Sequence, residues 1–73
     1  MTYYVYHVWH GVEPALFGPF KTEKERDSKA AEIFGEDSEL DNEIFWIDVW
    51  STTSLETGAY SAKYLNEILL EKA

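Results

Sequence analysis

The chain contains no cysteine, so disulfides, thiolate metal clusters and thiol nucleophiles are excluded together. Seventy-three residues bury a small fraction of their surface, and stability has to come from another source. Bases are also scarce. Six Lys and Arg stand against 14 Asp and Glu, which gives a formal net charge of −8. Through Gly35 the signs nearly balance, whereas residues 36 to 73 carry nine acids against Lys63 and Lys72. Phosphate binding needs clustered cations that displace counterions, so direct contact with nucleic acid or an anionic membrane is not expected. There is no apolar run of bilayer length and no charged segment leading into an apolar one, and the expectation is a cytoplasmic protein. With four Gly and two Pro, the chain has no phosphate-binding glycine loop, no Gly-x-Ser-x-Gly elbow and no linker. Residues 1–73 read as a single domain.

Aromatic residues are plentiful: three Trp, five Tyr and four Phe. Each buries a large area at small entropic cost, which suits a thin core without staples. Residues 2 to 10, TYYVYHVWH, are rich in β-branched and aromatic side chains and predict a first strand. Gly11 to Pro14 supplies a turn, and Ala15-Leu16-Phe17, stopped by Gly18-Pro19, predicts an edge strand paired back as a hairpin. Thr22-Glu23-Lys24-Glu25 is a capping box that opens a helix over residues 23 to 34, with Gly35 in the left-handed position that ends it. Ala30, Ile33 and Phe34 form its apolar patch. A second helix opens at Ser61, with Ala62, Leu65, Ile68 and Leu69 on one stripe that should bury against the sheet. Residues 51 to 60 read as irregular chain.

Between the helices lies EIFWIDVW, residues 43 to 50. Side chains alternate along a strand, so Phe45, Ile47 and Val49 share one face while Ile44, Trp46, Asp48 and Trp50 share the other. The first set resembles ordinary core. The expected fold is therefore α+β, a small three-stranded, mainly antiparallel sheet with two helices packed on one face, in the order β-β-α-β-α. On that expectation Ile44, Trp46 and Trp50 lie on the open side of the sheet, with Asp48 between the tryptophans to orient a partner. The competing expectation is that the 51 to 60 segment folds over this side and makes a second small core.

Other constellations are weaker. His7 and His10, three apart on a strand, fall on opposite faces and cannot chelate one ion, so no metal site is expected. Asp37, Glu39 and Asp41 alternate like calcium-loop ligands, but Asn42 stands where the loop requires glycine and a strand follows where a helix is needed. The acids Glu36, Asp37, Glu39, Asp41 and Glu43 can instead imitate the phosphates of a nucleic acid before a basic protein, or serve only as a solvated loop. No acid and base pair stands out, so neither catalysis nor a cofactor is expected.

Residues 17 to 27, FGPFKTEKERD, resemble a strand-to-helix corner of many short bacterial and phage proteins. The resemblance implies a corner and no activity. Size, acidity and the missing catalytic constellation together lead to an expectation of a non-enzymatic protein-binding module. It would be an inhibitor or modulator of a basic, nucleic-acid-handling protein, of the anti-defence or nucleic-acid-mimic type. The alternative is a housekeeping module that homodimerises through its aromatic sheet face.

Overall fold

A computed structural model describes residues 1–8, 13–36 and 43–72. The elements are β1 (Thr2–Val8), β2 (Ala15–Phe20), α1 (Glu23–Glu36), β3 (Glu43–Val49), β4 (Leu55–Ala59) and α2 (Ala62–Lys72). The strands form one antiparallel sheet in the order β2-β1-β3-β4. The α+β class is as expected, but there are four strands, and the element order is β-β-α-β-β-α.

The unexpected strand, LETGA, lacks the composition of one. It forms because the backbone of β3 offers a complete ladder to pair with, from Phe45 opposite Ala59 to Val49 opposite Leu55. A tight turn joins the two strands, in which the amides of Trp50 and Ser51 both donate to the carbonyl of Ser54. Gly58 lies opposite Trp46 in this ladder, and the indole covers the space that a side chain would fill. Residues 51–59 thus extend the sheet sideways and do not fold over either face.

A second glycine is required in β2. Pairing of β1 with β2 runs from Tyr3 opposite Phe20 to Val5 opposite Phe17, so β2 contains one extra residue and bulges at Gly18-Pro19. The bulge turns Phe17 and Phe20, three residues apart, toward the same side, where both pack on the core. Gly18 has φ 133°, and an added Cβ would lie 2.8 Å from the Tyr4 ring and 2.9 Å from the carbonyl oxygen of Tyr3.

Both helices begin as their sequences predict. The Glu25 amide donates to Thr22 Oγ1 at 3.1 Å, while the Glu25 carboxylate accepts from the amide of Lys21, one residue before the predicted donor. Ser61 Oγ likewise accepts from the amide of Tyr64 at 3.2 Å and caps α2. The end of α1 differs from expectation. Gly35 lies inside the helix without a positive φ, and its role is clearance: a Cβ there would press on Leu69 of α2 at 3.3 Å. Accordingly α2 lies along α1 and not on the sheet, whereas α1 crosses β1, β2 and β3.

The core is small. Val5, Ala30, Ala31, Ile33, Ile44 and Leu65 are its buried apolar residues, with Phe34, Tyr60, Ile68 and Leu69 packed around them. The paired alanines let α1 approach the sheet closely, and Leu65 carries α2 into the same cluster. This arrangement fixes the faces of the sheet. Tyr3, Val5 and His7 of β1 and Ile44, Trp46 and Asp48 of β3 are directed toward α1, while Tyr4, Tyr6, Val8, Phe45, Ile47 and Val49 look away. The expected assignment of faces on β3 is thus inverted.

The contact between Trp46 and Gly58 makes a direct prediction. In Gly58→Ala the new Cβ would run into Cζ2 of the Trp46 ring, so the ring has to move. Urea unfolding should show a loss of about 1–3 kcal/mol, the usual cost of overpacking a well-packed site. An unchanged midpoint would show that the indole does not rest on β4.

Candidate interaction surfaces

The covered side of the sheet is organised by a charge. Arg26 lies one turn before Ala30 on the core-facing stripe of α1, and only 8% of it is exposed. Its Nη1 donates to Asp48 Oδ1, and its Nε donates to Asp27 Oδ1 and to the Tyr60 hydroxyl, each at 3.0 Å. The guanidinium carbon also lies 5.5 Å from the centre of the Tyr3 ring and 5.4 Å from that of Trp46, within cation–π range of both. Asp48, also 8% exposed, is a buried counterion and not an accessible orienting charge.

Asp27 extends the network to α2. The Tyr60 hydroxyl donates to its Oδ1 at 2.6 Å and the Tyr64 hydroxyl to its Oδ2 at 2.7 Å, while the two phenol rings stack with centroids 6.1 Å apart. One cation and two carboxylates thus tie α1, β3 and the start of α2 together. Burial opposes the Arg26 charge, but hydrogen bonds to Asp48 and Asp27 outweigh it and hold the pKa above its ordinary value. The Tyr60 phenol is pushed well up, first by burial and then by its bond to Asp27. Tyr64 is raised chiefly by its bond to Asp27 and secondarily by burial.

The expected site residues fall in different places. Ile44 belongs to the core, Trp46 lies between Arg26 and Gly58, and Asp48 is ion-paired, so these three do not form an open face. The reason is parity: Arg26 and the alanines of α1 settle on the side that carries Asp48 and Ile44, and the register of β3 does the rest. Trp50, beyond the end of β3, is exposed, as are Glu36 and Glu43. Asp37, Glu39 and Asp41 lie outside the described residues, as does His10. His7 is buried on the covered side. Among the described residues no group of three His, Asp or Glu side chains is placed to hold a metal, and no helix is long and apolar enough to cross a membrane.

Two surfaces remain. The first is the open sheet face, on which the central strands present Tyr4, Tyr6, Phe45, Ile47 and Val49, with the Tyr6 and Phe45 rings 6.4 Å apart. Leu16, opposite Tyr6 on β2, and Leu55, opposite Val49 on β4, flank them and are 59% and 63% exposed. Among the described residues no helix covers this face, and the molecule is only 16 Å deep along its shortest axis. An aromatic face was expected around Ile44, Trp46 and Trp50, with either alternating set of the first strand beside them; Phe45 and Ile47 take the places expected for Ile44 and Trp46. The sequence signal that would have found them is the polar residue Asp48 on the opposite face, matched by Arg26 in the core stripe of a helix.

The second surface is the helix layer. Glu23, Glu25, Glu32, Glu36, Glu67 and Glu71 are exposed there against Lys24 and Lys63, and Lys29 is paired with Glu32 at 3.5 Å. A groove of about 580 Å³ runs between α1 and α2, with Glu23, Asp27 and Glu71 and one base, Lys24, around Tyr64 and Ile68. A smaller cavity of about 350 Å³ lies against Arg26, Trp46, Tyr60 and Tyr64. Compared with models of protein families, with curated proteins and with solved structures, the chain matches none.

The raised phenols give the fold an alkaline limit. A tyrosine that stays protonated in the folded state but ionises in the unfolded one contributes stability below its unfolded pKa of about 10, and that contribution is lost as pH rises toward the folded pKa. Thermal unfolding should therefore fall in temperature above about pH 10. Tyr60→Phe should lower stability by about 1 kcal/mol at neutral pH, for the hydrogen bonds lost, and should flatten the alkaline decline. An identical decline in the variant would remove Tyr60 from the account.

Proposed function

We propose that the protein is a small acidic binding module that acts on another protein by contact, without chemistry of its own, as an inhibitor or modulator of a basic, nucleic-acid-handling partner. The observation that carries this reading is the fate of Arg26. As one of only six bases, it is spent internally on Asp27 and Asp48, so the helix layer is left with exposed carboxylates and few exposed cations. Such a field steers basic partners at long range and repels nucleic acid itself.

The groove between the helices has the chemistry to receive a basic segment. Tyr64 and Ile68 offer apolar contact for the stem of a lysine or arginine, and Glu23 and Glu71 offer carboxylates to its head. Glu36 and Glu43 add to the same field, which also holds for Asp37, Glu39 and Asp41 by sequence. A second reading, a module that pairs with its own copy, is favoured by the open sheet face, which is apolar and aromatic where the helix layer is charged.

The test is competition. Immobilised protein should retain from a native lysate a basic protein that excess duplex DNA releases and that Glu23→Lys, Glu71→Lys loses at least about tenfold, with a weaker salt dependence of association. If nothing is retained, or if the retained protein ignores DNA, salt and the charge reversal, the mimicry reading fails.

A further inference from the structure

We infer that the open sheet face is the interface of a symmetric homodimer, in which a second copy of this chain packs sheet against sheet. This deepens the second reading above, self-pairing through the sheet, and is independent of the first, which concerns the helix layer on the other side of the molecule.

Burial is the first argument. Among the described residues six apolar side chains are buried in the core, yet Tyr4, Tyr6, Phe45, Ile47 and Val49 stand half-buried, side by side, on the two central strands. They occupy the middle of the face, where interface energy concentrates, and Leu16 lies at the rim. A neighbouring sheet would complete their burial.

Area is the second. Four strands about 4.8 Å apart, with five to seven residues at about 3.3 Å each, give a face of roughly 20 by 20 Å. With side-chain relief this offers on the order of 600 Å² from each copy, so two copies bury a little over the roughly 1,000 Å² that a specific interface needs. The area is at the upper end of what a monomer exposes and the lower end of what a dimer requires. The association should be reversible in the micromolar range.

Charge selects a second copy over a basic protein. Among the described residues the strands place one charged side chain on this face, Glu43 at the end of β3, so its centre has no charge with which to orient a cationic partner. Face-to-face pairing also sends the two acidic helix layers to opposite outer sides. Sheets pack about 10 Å apart, and with a helix layer beyond each the acidic surfaces are separated by several times the ~8 Å screening length. Two identical, similarly twisted sheets satisfy the aligned geometry of a β-sandwich without rearrangement.

Purified protein alone tests this, so the outcome is independent of whether a basic partner exists. Sedimentation equilibrium from about 5 to about 500 µM should show the mass rising from 8.5 kDa toward twice that value, a range matched to micromolar affinity. Ile47→Lys should stay monomeric over the same range, with circular dichroism unchanged, whereas Glu67→Lys on the helix layer should dimerise as before. In the wild type, amide resonances of Tyr4, Tyr6, Phe45 and Ile47 should shift on dilution while those of α1 and α2 hold still, a readout that needs no variant. A wild type that remains monomeric at the highest concentration overturns the inference, as does an Ile47→Lys that dimerises or dilution shifts confined to the helices. The reading of the helix layer would survive either result.

Discussion

A buried guanidinium is the constraint from which the other features of this fold follow. Arg26 is held between two carboxylates and two aromatic rings, and its partners come from α1, β1, β3 and Tyr60 in the link from β4 to α2. Removing a charge from water is costly, and that cost is recovered only where hydrogen bonds and counterions surround it. Arg26 therefore cannot be placed approximately: α1 must lie where Asp48 meets Nη1 and the Tyr60 hydroxyl meets Nε. In a protein with a thin core and no cysteine, this polar network supplies the positional specificity that a larger apolar core would supply.

The two faces of the sheet inherit their character from that placement. Since Asp48 must face Arg26, its strand neighbours Ile44 and Trp46 turn toward the helix as well, and Phe45, Ile47 and Val49 are left outside. Trp46 in turn needs Gly58, and so an unpromising stretch, LETGA, becomes a strand. The surface charge follows too. A base that pairs with Asp27 and Asp48 inside cannot neutralise glutamates outside, which leaves an acidic helix layer on one side and, on the other, an aromatic sheet with Glu43 at its margin.

Much of this was legible in the residues. Thr22 and Ser61 mark the helix starts because a hydroxyl before orphan amides has one obvious use, and both hydroxyls accept from the amides that their spacing predicts. Gly35 was misleading: glycine near the end of a helical pattern reads as a cap, but clearance for a neighbouring helix asks for the same residue, and only Leu69 distinguishes the two. The strand at residues 55 to 59 was hidden because its stability comes from the ladder of β3 and the indole of Trp46, not from its own composition. The inversion of the faces has the most instructive cause. Periodicity treats Ile47 and Val49 as core and Asp48 as surface, and that holds unless a buried counterion exists elsewhere. The stripe of Ala30 and Ile33, carried back one turn, reaches Arg26, and pairing that core cation with Asp48, the acid set among the aromatic and branched residues of β3, would have given the correct side.

The most direct measurement is a double-mutant cycle on Arg26 and Asp48, read by urea unfolding. Arg26→Met should lose about 3–5 kcal/mol, because it leaves the buried Asp48 carboxylate without its partner, and Asp48→Leu less, because Arg26 keeps its ion pair with Asp27. The double variant should lose clearly less than the sum of the two single losses, since neither Arg26 nor Asp48 then leaves the other unpaired, while Asp27 keeps its bonds from the Tyr60 and Tyr64 hydroxyls. Losses that simply add would contradict the account, for they would mean that Arg26 and Asp48 contribute independently and that the pair does not decide which face of the sheet is covered.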